Sequence, residues 1–228
     1  MKALLTILLL VVSSWAYADC DDIVLGGEPV IEHSVRLCRA QEAYLTIYNP
    51  DCKIPYYSAE IITARNSEEN VPRKNTFKED PKLEEDVRST LADYKGSGFD
   101  RGHMAPAADF RYSADAMAES FLLSNMVPQY HNPNAGVWSS AEAFAREKGL
   151  QGSVHVISGS VVNASSPRIG NGVCVPSHTF KIVVDVNGRV TSFLIPNTPT
   201  ASTQPLEVYI VPLQEIEAKT GIKFNLPR

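Results

Sequence analysis

Asp100-Arg101-Gly102-His103 sets an acid, a base, a glycine and an imidazole in four consecutive positions. A neutral imidazole can take a proton from water near pH 7. A guanidinium can hold phosphate oxygens. The stretch SNMVPQYHNPNAGVWSSAEAFAREKGL, residues 124–150, follows. Its Asn134, Trp138 and Glu142 stand at i, i+4 and i+8, which predicts one face of a helix capped by Asn132 with Pro133 as its first residue. An amide and a carboxylate with an indole between them suit the wall of a polar cleft better than a core stripe. At 1.5 Å rise per residue, Asn134 and Glu142 lie about 12 Å apart along the axis, too far for both to bind one ion directly. An amide oxygen is a hard ligand suited to Mg²⁺, which keeps several waters. The chemistry that wants this set is phosphodiester hydrolysis, with a cation to neutralise the scissile phosphate. Taken alone, His103 has a plainer reading, since most histidines in structured regions are structural.

These residues need a scaffold. AYLTIYN (43–49) and PYYSAEIIT (55–63) are β-rich runs around Pro50-Asp51-Cys52 and predict a hairpin. VHVISGSVV (154–162) reads as a buried strand. HTFKIVVDV and RVTSFLI flank Asn187-Gly188, a strong hairpin turn. SADAMAESFLL (113–123) has helical spacing, and PLQEIEAKTG (212–221) predicts a short helix stopped by Gly221. Residues 65–98 form a long polar excursion, and the acidic run at 79–86 is expected to be solvated. The elements lack the regular alternation of a parallel α/β fold. One α+β domain on an antiparallel sheet is predicted.

The first 18 residues carry Lys2, an apolar run from Ala3 to Val12, and Ala16-Tyr17-Ala18. This is the three-part pattern of a cleaved signal peptide, and the run is too short to span a membrane. Export is expected, to a periplasm or outside the cell, with residues 19–228 forming the mature domain. Of the 21 basic residues Lys2 would be lost, leaving 20 against 26 acidic ones. That balance argues against a protein that coats nucleic acid non-specifically, yet it allows a local basic groove. Cys20, Cys38, Cys52 and Cys174 form no CxxC pair, which disfavours a zinc ribbon. In an exported chain they predict two disulfides, with three connectivities open.

The tetrapeptide resembles the motif of the DNA/RNA non-specific endonucleases, the ββα-metal nucleases that include endonuclease G. The resemblance extends through DYKGSGFDRGHMAPAADF (93–110), FLLSNMVPQ (121–129), NAGVW with Glu142, VHVISGSVV, VPSHTFKIVV and YIVPLQEIEAKTG. It spans roughly residues 40 to 225, and its motifs keep the family's order. It implies a ββα-metal finger embedded in a single domain, with a central antiparallel sheet flanked by helices. It implies an endonuclease that hydrolyses DNA and RNA to 5′-phosphate products with Mg²⁺, for which Mn²⁺ substitutes. His103 would be the general base, Asn134 the direct ligand and Glu142 a ligand through water. Arg101 would contact the phosphate, with Arg73 as the second arginine and Arg65 its rival. Asn125 would orient the catalytic groups, and Asp100 would anchor the loop. Asn132 competes with Asn134, and Asn134 is preferred because Trp138 and Glu142 are in register with it. His131 stands near the proposed cleft, while His33 is expected to be exposed, His155 packed or at a strand edge, and His178 structural. The family includes homodimers. Two other classes remain: an inactive nucleic-acid-binding module on a nuclease scaffold, and a zinc hydrolase, which the lack of HExxH spacing disfavours.

Overall fold

The structure is a computed structural model that describes residues 20–40, 43–68, 70–201 and 204–226. The segment read as a signal peptide, residues 1–18, lies outside the described residues.

Six antiparallel strands form the central sheet in the order β1-β2-β3-β6-β9-β10. They are β1 (Val35–Arg39), β2 (Tyr44–Asn49), β3 (Ile54–Ile62), β6 (Val154–Val161), β9 (His178–Val184) and β10 (Val190–Pro196). The two predicted hairpins are β2–β3, turning at residues 50–53, and β9–β10, turning at Asn187-Gly188. Their sequences are rich in β-branched and aromatic residues, which favour a pleated and buried surface. Strand β6 pairs with β3 from 92 residues downstream of it, so the sheet closes around everything between (Ile62 to Val154).

That intervening chain carries the finger. Strand β4 (Asp100–His103) pairs with β5 (Met126–Gln129), setting His103 opposite Met126. Gly102 leaves room for the buried Gln129 side chain, whose Oε1 a Cβ would meet at 1.7 Å. Short helices α1 (Leu91–Tyr94) and α2 (Ala114–Ser120) precede β5. Helix α3 (His131–Pro133) runs through a π-helical turn at Asn134–Trp138 into α4 (Ser139–Gly149). Strands β7 (Arg168–Ile169) and β8 (Val173–Cys174) form a small ribbon, and α5 (Leu213–Thr220) ends at Gly221 in a left-handed conformation, as predicted.

The two faces of the central sheet differ. One presents Leu45, Ile47, Tyr57, Ala59, Ile157, Phe180, Ile182 and Leu194 to α5 and the N-terminal segment. The other carries a row of directly opposed polar residues, Thr46–Ser58–Ser158–Lys181. All four are buried under the finger. Thr46 and Ser58 hydroxyls lie 2.9 Å apart, and Lys181 Nζ donates to Ser158 Oγ.

The four cysteines form Cys20–Cys38 and Cys52–Cys174. One expectation fails within the acidic run. Asp80 is fully buried and paired with the buried Arg39, although its neighbours at 84–86 are exposed. A buried carboxylate needs such a partner, and this one comes from β1, 41 residues away.

Candidate active site

A cleft of about 580 Å³ opens between β4, α4 and the loops at 73–77 and 94–99. His103, Arg101, Arg73, Asn134 and Glu142 all line it.

His103 ends β4 and is 8% exposed. Phe77 and Phe121 fence its ring at 5.7 and 4.9 Å between centroids. Each arginine rests on one of these two phenylalanines. Arg101 Cζ lies 4.3 Å from the Phe77 centroid, and Arg73 Cζ lies 5.5 Å from that of Phe121. Burial, reinforced by the charges of Arg73 and Arg101, lowers the His103 pKa to about 3. The imidazole is therefore neutral at ordinary pH, the protonation state a general base starts from. Its Nε2 is closed to solvent and has no hydrogen-bond partner among the described residues.

Asn134 donates Nδ2 to Asp100 Oδ2 at 2.9 Å. That bond turns the amide and leaves Oδ1 as the atom for a cation, with the carboxylate of Glu142 in the same cleft. Burial pushes the Glu142 carboxyl up to about 7, against the opposing charge of Lys181. A divalent cation nearby would favour its ionised form. One amide oxygen and one carboxylate, with room for water, fit a hard ion that retains most of its hydration.

Several predicted residues stand elsewhere. Asn125 is fully buried and does not line the cleft. Its amide bonds both the N–H and the carbonyl of Ala105, two residues after His103, and also Ser120 O and Ser58 Oγ. It clamps the loop that follows His103 from behind the cleft. Trp138 is 1% exposed and packs into the core, its indole donating to His103 O at 3.1 Å. It is no cleft wall, because the π-helical turn, with non-helical dihedrals at Gly136, rotates it inward. The helix also starts earlier than predicted, at His131, with Pro133 third. Proline is tolerated there because the N–H groups of a helix's first turn have no intrahelical acceptor. Asn132 turns away and donates to Pro199 O. Arg65 lies over Tyr112, outside the cleft lining. Asp100, expected to anchor its loop, accepts from Asn134 and lies 2.9 Å from the exposed His131. Phe77, Phe121 and the cleft cation Lys95 were not among the expected site residues. Phe77 had a signal, since an aromatic four residues after Arg73 can cover the same wall; Phe121 and Lys95 had none.

The chain matches the DNA/RNA non-specific endonuclease family over residues 30–227. It is a member of that family. It is 33% identical over 215 residues to the mitochondrial nuclease 1 of Schizosaccharomyces pombe, covering 83% of this chain and 67% of that protein. It is 34% identical over 197 residues to the mitochondrial nuclease EXOG of Xenopus laevis, covering 78% of this chain and 55% of that protein. The chain thus spans roughly half to two thirds of the length of these relatives. A solved structure described as an EndoG/EndoGI complex, with the mechanism of EndoG inhibition, superposes with a TM-score of 0.80 at 29% identity over 90% of both chains. As a member of the endonuclease family the chain is a nuclease, and the ββα arrangement of β4, β5 and α4 is embedded in the central-sheet domain that the resemblance implied.

Proposed function

We propose that this nuclease is an exported, Mg²⁺-dependent endonuclease that hydrolyses both DNA and RNA and leaves 5′-phosphate ends. The observation that carries the reading is an imidazole sharing one cleft with two arginines, an amide and a carboxylate. Arg101 and Arg73 hold the phosphate and the charge that develops on it. His103 removes the proton of the attacking water. Asn134 Oδ1 would hold the ion directly and Glu142 through water. Mg²⁺, or Mn²⁺ in its place, supplies a Lewis acid at the scissile phosphate and the leaving oxygen. Asn125 and Asp100 keep the loop and the amide in place.

The reading excludes base recognition as a requirement, since phosphate contacts position a duplex without specifying its sequence. Binding should weaken as salt rises. Export is supported by the N-terminal pattern and by two disulfides, which persist in oxidising compartments. A homodimer belongs to the same reading and is checked by sedimentation.

The test is digestion of supercoiled plasmid and of RNA by the purified protein, in Mg²⁺ or EDTA, beside His103→Ala. Loss of both supercoiled DNA and intact RNA, dependent on Mg²⁺ and on His103, is expected. Binding without cleavage, with Mn²⁺ also tried, would instead mark an inactive nucleic-acid-binding module.

A further inference from the structure

Behind the cleft lies a charge that the reaction as described does not use. Lys181, on β9, is 1% exposed. An ammonium in such a place is costly unless its surroundings compensate it. Two groups hold it directly. Nζ donates to Ser158 Oγ across the sheet, and it lies 4.7 Å from the centroid of the Trp138 ring. The same indole donates its N–H to the His103 carbonyl at 3.1 Å. The chain of contacts therefore runs from a buried cation, through the face and edge of one ring, to the backbone of His103. Ser58, the next residue along the same row, reaches Asn125 at 2.9 Å, and Asn125 clamps Ala105. The polar row thus grips the chain at His103 and again two residues later.

Carboxyl groups surround the ammonium. Burial pulls Lys181 below the ordinary ammonium range, while Glu142, Glu60 and Asp109 oppose that shift and Arg146 adds to it. Glu60 is itself buried, and burial with the nearby Asp109 charge drives it toward the neutral acid. Asp109 is already paired with Arg146 at 2.9 Å. Simple neutralisation of a buried acid is thus an alternative that a test must separate.

We propose that Lys181 is a positioning residue for the hydrolysis: held by Ser158, its ammonium fixes the Trp138 ring, whose N–H fixes the His103 backbone and so the place of the imidazole in the cleft. A cation over an indole face is the strongest pairing of its kind, and desolvation strengthens it. This inference rests on the general-base role proposed for His103.

The experiment compares the wild type with Lys181→Met, Glu60→Gln, the Glu60→Gln/Lys181→Met pair, Trp138→Phe and Lys181→Met/Trp138→Phe. Plasmid cleavage in Mg²⁺ gives kcat and KM, and thermal melts report the fold. Lys181→Met should lower kcat by about tenfold or more with KM within about twofold, as expected for a displaced catalytic group. Glu60→Gln mimics the neutral acid, so the paired variant should recover melting temperature without recovering kcat. It also keeps the test open if Lys181→Met alone does not fold. Phenylalanine lacks the N–H, so Lys181→Met should add less than about twofold further loss in the Trp138→Phe background. Wild-type kcat in a folded Lys181→Met chain would overturn the inference, as would recovery of kcat in the paired variant or a full further loss in the Trp138→Phe background. A wild type that cleaves nothing would overturn the hydrolysis reading and this inference with it. An active wild type matched by Lys181→Met would overturn this inference alone.

Discussion

The two faces of the central sheet are made by the same strands and have opposite characters. Under α5 the strands present Leu45, Ile47, Tyr57, Phe180 and Ile182, which need only be covered. Under the finger they present Thr46, Ser58, Glu60, Ser158 and Lys181, each of which is buried and requires a partner in a defined direction. Apolar burial is non-directional and tolerant, whereas a buried polar network fixes geometry or costs stability. The sheet therefore assigns cohesion to one face and alignment to the other, and His103 is attached to the second.

Substitutions on the two faces should separate these roles. Phe180→Ala on the apolar face should cost about 4 kcal/mol of stability in denaturant unfolding. The kcat of the remaining folded protein should not change. A fall in kcat there would erase the distinction between the faces.

The polar side can be probed by pH. The unfolded His103 imidazole titrates near 6.5 and the folded one near 3. Between those values the unfolded chain takes up a proton that the folded chain refuses, so this group's contribution to stability is lost as pH falls. His103→Gln removes this contribution. Relative to wild type, the variant should gain about 3 kcal/mol between pH 6.5 and pH 4, read from melts or urea curves. Parallel pH profiles for the two proteins would mean that the imidazole protonates inside the fold.

Asn125→Ala strips the partners from Ala105, Ser120 and Ser58. It should cost about 2 kcal/mol and also lower kcat about tenfold, because the loop after His103 loosens. Stability lost without kcat would move Asn125 to the cohesive side of the comparison. Thr46→Val, at the far end of the row, should cost about 1 kcal/mol and leave kcat unchanged.

Much of the scaffold was legible because its signals are local. The Asn187-Gly188 hairpin, the helix ended by Gly221 and the alternating strands each carry their cause within about ten residues. The cleft set was legible through motif spacing, and His103, Arg101, Arg73, Asn134 and Glu142 do share one cavity. Features set by distant partners were hidden. Asp80 reads as part of a solvated acidic run, and only Arg39 on β1 explains its burial. Lys181 reads as a lone charge in an apolar strand, and Ser158 and Trp138 explain it only once the strands are paired. Trp138 was placed on the wrong side because a π-helical turn breaks the regular helical spacing.

The bond between Cys52 and Cys174 spans 122 residues and encloses every residue that lines the cleft. Residues 72–76 within that span are exposed and contain Arg73-Lys74, a target for a trypsin-like protease. A cut there divides the chain yet releases neither piece. The strands β1–β3 remain covalently fastened to the part that carries His103, and the halves come apart only on reduction. A nicked molecule would therefore run as one species on a non-reducing gel and as two after thiol treatment, so wear by proteases can accumulate in this nuclease without dispersing its parts.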